Sequence, residues 1–180
     1  MLREKDRWQK GDAKAGFYAD ELKVSQEREI ADSQLKKTIK PSEMPWEDSP
    51  QGRIKHIVNE KMGTRMNAID AYIQELPPGG RSGKHRHMAE EFLYILEGEG
   101  YDLHWDVEAE IKDEYNWKIS DHPDKWEWEE SDCVYIPPAT VHQHFNRSNE
   151  KPARFISARN RVYRHIGFKD LEQLEDAPDK

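Results

Sequence analysis

The sequence predicts an all-β fold, an antiparallel β-barrel or sandwich preceded by a helical or extended arm. Short runs with strand character recur after residue 45, and glycine and proline residues separate them. Strands at this spacing, with turn residues between them, are typical of sandwiches and barrels. No alternation of strands and helices, which would indicate a parallel sheet, is visible. The length of 180 residues suggests one domain with an appended arm.

Three segments of the chain differ in composition. Residues 1–45 are dense in charge and carry only a sparse apolar stripe, so we expect an arm that docks on the domain or on a partner subunit. Residues 46–166 form the predicted barrel. Residues 167–180 form a predicted short helix and tail. The arm cannot bury enough surface to fold alone.

The strands of the barrel are predicted from short apolar and aromatic runs at residues 67–76, 91–97, 133–136, 141–145 and 154–158. Leu93 and Ile95 are expected in the barrel core, and Cys133 in a buried strand. Residues 102–130 are polar and acidic and predict one or two hairpin strands with a long loop, whose acidic side chains form a solvated face. Their tryptophans are expected to cover a barrel end or, by preference, a subunit interface; they are Trp105, Trp117, Trp126 and Trp128.

Charge and cysteine usage narrow the class of protein. The net charge is −8 and no basic run suits a phosphate backbone, so we expect no nucleic-acid partner. The single cysteine excludes an intramolecular disulfide and gives secretion no support. The first residues contain no apolar signal core, and no segment approaches the roughly 18 apolar residues that span a bilayer. We therefore expect a cytoplasmic protein that does not enter the membrane.

Two histidine pairs mark the candidate site. His85 and His87 are one residue apart, so in a strand their imidazoles project to the same side. Glu91 has the same parity if that strand continues. His142 and His144 form a second pair at the same spacing and offer a third imidazole. Three neutral nitrogens and one carboxylate suit a divalent first-row ion with positions open for water or substrate.

These residues resemble the two sequence motifs of the cupin superfamily. The first motif is a glycine, five residues, H-x-H, three or four residues, a glutamate, six residues and a glycine. Every position is met, by Gly79, His85, His87, Glu91 and Gly98. The second motif is a glycine, five residues, P-x-G, two residues, a histidine, three residues and an asparagine. Pro137, His142 and Asn146 fit it, while Ser131 and Ala139 replace its glycines.

The resemblance implies a jelly-roll barrel, also called a double-stranded β-helix, with a metal ion inside. The implied ligands are His85, His87, Glu91 and His142. The grouping of Gln74 with both histidine pairs resembles gentisate dioxygenase and its relatives. These are iron(II) cupins that open hydroxylated aromatic rings with dioxygen. By this resemblance Gln74 and His144 face the substrate, with His144 as the acid–base or orienting group.

The function expected from the resemblance is cleavage of a small hydroxylated aromatic compound or a related diketone by dioxygen. Iron(II) is the expected metal, although the same ligands accept manganese, nickel, copper or zinc. The alternatives are a non-oxidative metal cupin, such as an isomerase or decarboxylase, and a sensor that binds a small molecule. Because single-domain cupins commonly pair through their outer sheets, we expect a homodimer or higher homo-oligomer.

Overall fold

The computed structural model describes residues 14–111, 115–167 and 171–178. The first 13 residues of the predicted arm and residues 168–170 and 179–180 of the predicted C-terminal segment lie outside them. The chain separates into two compact units, one ending at Leu35 and one from Lys36 to Lys180. In the first unit, helix α1 spans Phe17–Ser33 and has no buried side chain.

Within the described residues, the second unit contains thirteen β-strands, one short α-helix and two 3₁₀ helices, Pro41–Glu43 and Glu60–Met62. The strands of its first half are β1 (Trp46–Ser49), β2 (Gly52–Val58), β3 (Ile69–Leu76), β4 (Lys84–His87), β5 (Glu91–Glu97) and β6 (Glu99–Trp105). The remaining elements are β7 (Val107–Ile111), β8 (Tyr115–Ile119), β9 (Asp124–Glu129), β10 (Cys133–Ile136), β11 (Val141–Asn146), β12 (Ala153–Asn160), α2 (Val162–His165) and β13 (Leu171–Glu175).

Two antiparallel sheets carry the fold. One has six strands in the order β1-β2-β3-β12-β5-β10, and the other has five in the order β13-β4-β11-β6-β9. Strands β7 and β8 pair with each other in a separate, two-stranded antiparallel sheet. Neighbouring strands of each sheet are often distant in sequence, as expected for a jelly roll in which the chain crosses between sheets. The predicted all-β jelly-roll fold is confirmed.

The apolar core fills one end of the space between the sheets. Alternation along β5 turns Leu93 and Ile95 inward, where they are fully buried, and leaves Phe92 and Tyr94 on the outer face. The cluster consists of Leu76, Leu93, Ile95, Trp128, Val134, Ile136, Ala153 and Phe155. The interface predicted for the tryptophans is wrong for Trp128, because its ring packs edge-on against Phe155 in this core.

Three other sequence expectations are corrected. Residues 102–130 contain most of β6 and all of β7, β8 and β9, more strands than the one or two predicted. The predicted C-terminal helix is wrong over Leu171–Glu175, which forms β13 because the free edge of β4 accepts it and Arg86 pairs with Glu172. Cys133 is exposed, because β10 turns Val134 and Ile136 inward and so presents Cys133 outward.

The two positions at which this chain lacks the glycines of the second cupin motif keep a glycine-like backbone. Ser131 has φ of 75° and Ala139 has φ of 62°, both in the left-handed region. An L-residue there costs roughly 1–2 kcal/mol. The turn at Ala139 is held by its amide, which donates to the carbonyl of His87 at 2.9 Å. The turns of the motif are therefore retained at the expense of local strain.

No helix in the described part of the chain has the length and apolar character that crossing a bilayer requires.

Candidate metal centre

Adjacent strands of the five-stranded sheet bring three histidines together. His85 on β4 lies directly opposite His142 on β11, and their ring centroids are 4.1 Å apart. His87 lies two residues beyond His85 on the same face, with its ring centroid 5.1 Å from that of His142. All three side chains are buried. The alternation predicted for H-x-H in a strand is what places these rings on the inner face.

Glu91 reaches the same point from the opposite sheet. The chain leaves β4 at His87, bends through residues 88–90 and enters β5, a strand of the six-stranded sheet. The expectation that Glu91 continues the strand of His87 is therefore wrong, and the carboxylate faces the histidines across the interior. One potential ligand atom from each of the four residues lies within 4.8 Å of the others; the residues are His85, His87, Glu91 and His142.

Hydrogen bonds to backbone carbonyls fix two of the imidazoles. The Nδ1 of His87 donates to the carbonyl of Ala89 at 2.7 Å, and the Nδ1 of His142 donates to the carbonyl of Thr140 at 2.9 Å. In each neutral ring, Nε2 is then the unprotonated nitrogen. These nitrogens lie 2.6 Å and 3.4 Å, respectively, from Oε2 of Glu91. Lone pairs that face a carboxylate at this range repel each other unless a cation lies between them, so the arrangement fits a metal ion.

The electrostatics of the group favour the protonation state that a metal requires. Burial disfavours ionised Glu91, but its close contacts with His142 and His87 outweigh burial and lower the pKa of the carboxyl. Burial lowers the pKa of His142 to about 4, although the charge of Glu91 opposes it. Burial and the neighbouring His142 lower the pKa of His85. An anionic Glu91 and neutral His85 and His142 are thus favoured at neutral pH.

His144 lies deeper, between this group and the apolar core. Its ring centroid is 5.5 Å from that of His142 and 4.9 Å from that of Phe155. Its Nδ1 lies 2.9 Å from Oδ1 of Asp102, an ion-pair distance without the alignment of a good hydrogen bond. Burial opposes protonation of His144, but the Asp102 charge outweighs it and raises the pKa of the imidazole. Nε2 has no partner among the described residues.

Gln74 is fully buried on β3, beside Phe155 of β12. Its side-chain amide donates to the backbone carbonyl of Gln51. Gln51 and His85 both line a cavity of about 640 Å³. The structure therefore connects Gln74 to the wall of the cavity through Gln51.

Sequence reasoning missed several polar residues around the site. Asp102 and His104 alternate on β6, directly opposite His144 and His142, and both are buried. Asp102 accepts a hydrogen bond from the indole N–H of Trp128 at 2.8 Å, and its pKa is lowered, since the charge of His144 and hydrogen bonds outweigh burial. Ser157 on β12 donates to Oε1 of Glu91. The D-x-H spacing of residues 102–104 was the available signal.

Sequence comparison identifies the family of the chain. A family model described as "Auxin binding protein" matches residues 25–162. The chain belongs to this family. The family is of cupin type, so the match also supports membership of the cupin superfamily. No curated protein matches the sequence significantly.

Several solved structures are similar to this chain at low sequence identity. An oxalate decarboxylase from Bacillus subtilis, studied for its Mn(II) centres, is 17% identical with a TM-score of 0.56, over 74% of this chain and 31% of that one. One from Lactobacillus farciminis, in complex with formate, is 17% identical with a TM-score of 0.53, over 74% and 34%. A cupin-like protein from Thermotoga maritima is 22% identical with a TM-score of 0.48, over 69% and 76%. The chain spans about a third of the decarboxylases.

Proposed function

We propose that this chain is a metal-dependent cupin enzyme whose divalent ion is held by His85, His87, Glu91 and His142. The observation that carries the proposal is the approach of two unprotonated Nε2 atoms to one carboxylate oxygen, in a fully buried site. Carbonyl acceptors at Ala89 and Thr140 hold the two rings in that orientation. Outer partners of this kind are typical of metal-binding histidines.

The reaction we propose is cleavage of a carbon–carbon bond in a small hydroxylated aromatic compound or diketone by dioxygen. Iron(II) in the site would supply a Lewis acid and a path for electrons between substrate and dioxygen. The reaction needs no other reductant: one carbon–carbon bond and the oxygen–oxygen bond break, and both oxygen atoms enter the product. The protein's task is to orient the substrate and accept its hydroxyl proton.

His144 is our candidate for that proton transfer. Asp102 lies beside its Nδ1, which leaves Nε2 unpartnered among the described side chains. An acid–base imidazole is typically oriented by a carboxylate in this way. Gln74 is proposed as a positioning residue, because its amide holds the carbonyl of Gln51 at the cavity wall.

Two other functions are supported by the comparisons. The structural similarity to oxalate decarboxylases supports a non-oxidative reaction at the same ligands, with manganese as the metal. The family description supports binding of a small organic molecule without turnover. Both functions use the same four residues, so metal identity and turnover distinguish them from the dioxygenase.

Metal binding is the first test. We expect the purified protein to bind one equivalent of iron(II) or cobalt(II), measured by absorption spectroscopy and elemental analysis. His142→Ala should bind less than a tenth of that amount, whereas the surface variant His122→Ala should bind as the unaltered protein does. Equal binding by both variants would contradict the proposal.

Turnover is the second test. Iron(II)-loaded protein, prepared without air, is assayed for oxygen uptake with a panel of dihydroxy-aromatic compounds and β-diketones. Substrate-dependent uptake that His142→Ala abolishes supports the dioxygenase. Tight metal binding with no uptake across the panel would contradict it and favour the decarboxylase or the binding protein, which are separated by carbon dioxide release from small organic acids under nitrogen.

We also propose a homodimer or higher homo-oligomer. The outer face of the six-stranded sheet carries Phe92, Tyr94 and Tyr135, of which Phe92 and Tyr135 are in ring contact and Tyr135 is 70% exposed. Aromatic residues are enriched where subunits meet. Sedimentation velocity should give at least twice the chain mass, and Tyr94→Glu should reduce it.

A further inference from the structure

A second cavity, of about 350 Å³, is lined by residues of β6, β9 and β10 and of the segments that follow β6 and β10. None of the four proposed metal ligands is in its wall. Its volume is within the range of sites that bind small organic molecules. Three carboxylates lie in the wall, those of Asp106, Asp124 and Glu127, and no lysine or arginine among the described residues does. The larger cavity beside His85 differs, because residues of both charges line it.

Two of the three carboxylates have no cationic partner. Neither Asp106 nor Asp124 pairs with a lysine, arginine or histidine side chain in the part of the chain that the structure describes. Glu127, by contrast, lies 2.7 Å from the ammonium of Lys125 and 3.8 Å from the guanidinium of Arg147. A cavity wall with uncompensated negative charge attracts a ligand that carries positive charge.

Trp126 presents an uncovered aromatic face to the same cavity. Three other tryptophans each have a cation of the chain over the ring, 3.8 to 5.1 Å from its centroid; the pairs are Trp46 with Arg53, Trp105 with Lys84 and Trp117 with Arg86. Trp126 lines the cavity and is 56% exposed, and no lysine or arginine of the described residues lies over it. Aromatic faces attract ammonium groups, most strongly that of tryptophan, so this ring is available to an external cation.

His104 adds a buried polar group to the wall. Only 7% of the residue is exposed, and its Nε2 is buried without a hydrogen bond, 3.7 Å from Oδ2 of Asp102. Asp124 lies directly opposite His104 on the neighbouring strand, and the ring centroid of Trp126 is 6.5 Å from that of the imidazole. A neutral imidazole has one acceptor nitrogen, which suits an N–H donor. An imidazole without a hydrogen bond, an unpaired carboxylate and an uncovered aromatic ring are thus neighbours on β6 and β9.

We propose that this cavity binds a small organic ammonium compound, whose charged nitrogen lies against Trp126 and is compensated by the carboxylates of Asp106 and Asp124. A metal ion fits less well, because the one group of described histidine and acidic side chains whose ligand atoms lie within 4.8 Å of one another is the candidate metal centre. The cavity contains no proposed metal ligand, so the inference goes beyond the proposed function and does not depend on it.

The test is calorimetric titration of the protein, as purified, with three ammonium compounds and uncharged compounds of similar shape. The pairs are choline and dimethylbutanol, benzylamine and benzyl alcohol, and diaminobutane and butanediol. We expect at least one ammonium compound to bind about tenfold more tightly than its uncharged partner, because aromatic and carboxylate contacts add. Equal affinity within all three pairs, or no binding by any ammonium compound, would overturn the inference.

Paired variants locate the binding. Trp126→Leu and Asp124→Asn should each reduce the preference for the ammonium compound at least about threefold. Both side chains are exposed, so thermal denaturation should show that the variants fold. The matched variants Trp46→Leu and Asp121→Asn, whose side chains do not line the cavity, should leave the preference unchanged.

Two further outcomes would count against the inference. A preference that survives both Trp126→Leu and Asp124→Asn would overturn it, because the ammonium group would then bind elsewhere. N-acetyl-lysine amide presents the same ammonium group on a peptide unit, and tighter binding of this compound than of all three free compounds would overturn the assignment to a small molecule.

Discussion

The two halves of the interior are built by the same strands but have opposite chemistry. On β5, Glu91 faces the histidines, whereas Leu93 and Ile95 enter the apolar core. On β12, Ser157 contacts Glu91, whereas Phe155 is in the core. A step of two residues along one strand thus changes the environment from a charged cluster to hydrocarbon.

Because of this difference, we expect the apolar half to determine stability and the polar half to determine binding. Each buried aliphatic or aromatic side chain of the core contributes roughly 1.5–3 kcal/mol by leaving water. The polar half buries Glu91 and Asp102 together with several histidines, and burial of ionised groups costs free energy unless every one is paired. We therefore expect core substitutions to act on folding and substitutions in the polar half to act mainly on ligands.

The largest loss of unfolding free energy should come from a substitution in the apolar core. Phe155→Ala removes a fully buried ring that packs against Trp128 and His144. We expect the free energy of unfolding to fall by about 3–5 kcal/mol, because transfer and cavity costs add. Urea denaturation of the metal-free protein measures this loss. A loss below about 1 kcal/mol would show that the apolar half does not carry the stability.

Glu91→Gln should weaken metal binding strongly and folding only slightly. The substitution keeps the shape of a buried side chain but removes the negative charge beside His87 and His142. We expect cobalt(II) affinity to fall at least about 100-fold, more than the 10- to 100-fold typical of outer-shell partners. The unfolding free energy of the metal-free protein should change less than in Phe155→Ala. Unchanged cobalt affinity in a competition titration would contradict the proposed ligand set.

Acid should lower the free energy of unfolding through the buried histidines and Glu91 of the polar half. The pKa of His142 is about 4 in the folded protein against an ordinary value of 6.5, so between these values the unfolded chain binds more protons. Stability of the metal-free protein is therefore full above pH 6.5 and falls as the pH drops toward 4, by about 3 kcal/mol for this residue.

Denaturant titrations at several pH values measure that dependence. The lowered pKa of His85 acts in the same direction, and that of Glu91 does so below its ordinary value of 4.5. His142→Gln should reduce the slope, while His122→Gln should not. A slope equal to that of the unaltered protein in His142→Gln would assign the acid sensitivity to other residues.

The turn at Ala139, which connects β10 to β11, should become more stable when glycine is introduced. Ala139→Gly replaces a residue with φ of 62° in the turn that binds the carbonyl of His87. We expect a gain of up to about 1 kcal/mol, since relief of left-handed strain exceeds the entropy cost of glycine. The matched variant Ala158→Gly, in the extended backbone of β12, should instead lose roughly 0.5–1 kcal/mol. Destabilisation by Ala139→Gly would show that this backbone is not strained.

The smallest effect is expected outside both halves. Cys133 lies on the outer surface of β10 and is exposed. Cys133→Ser should change the free energy of unfolding by less than about 0.5 kcal/mol, as is usual for surface substitutions. Cys133 lies opposite Tyr94 on the face proposed to join subunits, so urea denaturation is measured at a concentration where sedimentation shows the monomer. A larger change under that condition would contradict the expectation.

Local sequence patterns predict the boundaries of strands in which inward and outward residues alternate and which lie between turn residues. The boundaries predicted for residues 91–97 and 133–136 are those of β5 and β10. The pairing of His85 with His142 depends on strands almost 60 residues apart, and it follows from the cupin motifs rather than from the local pattern. β13 escapes prediction because its residues form a strand only against the free edge of β4.

The sequence around the polar neighbours of the site does not predict their burial. Asp102 begins an acidic segment that predicts a solvated face, yet the structure buries it between Trp128 and His144. Both partners come from other strands, so no local pattern reports this burial. Glu91 follows from the motif, but the strand parity expected for it is wrong because the chain changes sheet after His87.

The position of β13 on the outer edge of the five-stranded sheet has a consequence for synthesis. β4, which carries His85 and His87, is paired on one side by β11 and on the other by β13, whose first residue follows His87 by 84 residues. At roughly 5–20 residues per second, the ribosome needs on the order of 4–17 seconds to deliver it. During that interval the outer backbone groups of β4 are unpaired and open to other nascent chains. The histidine-bearing strand is therefore one place where aggregation can compete with folding during translation.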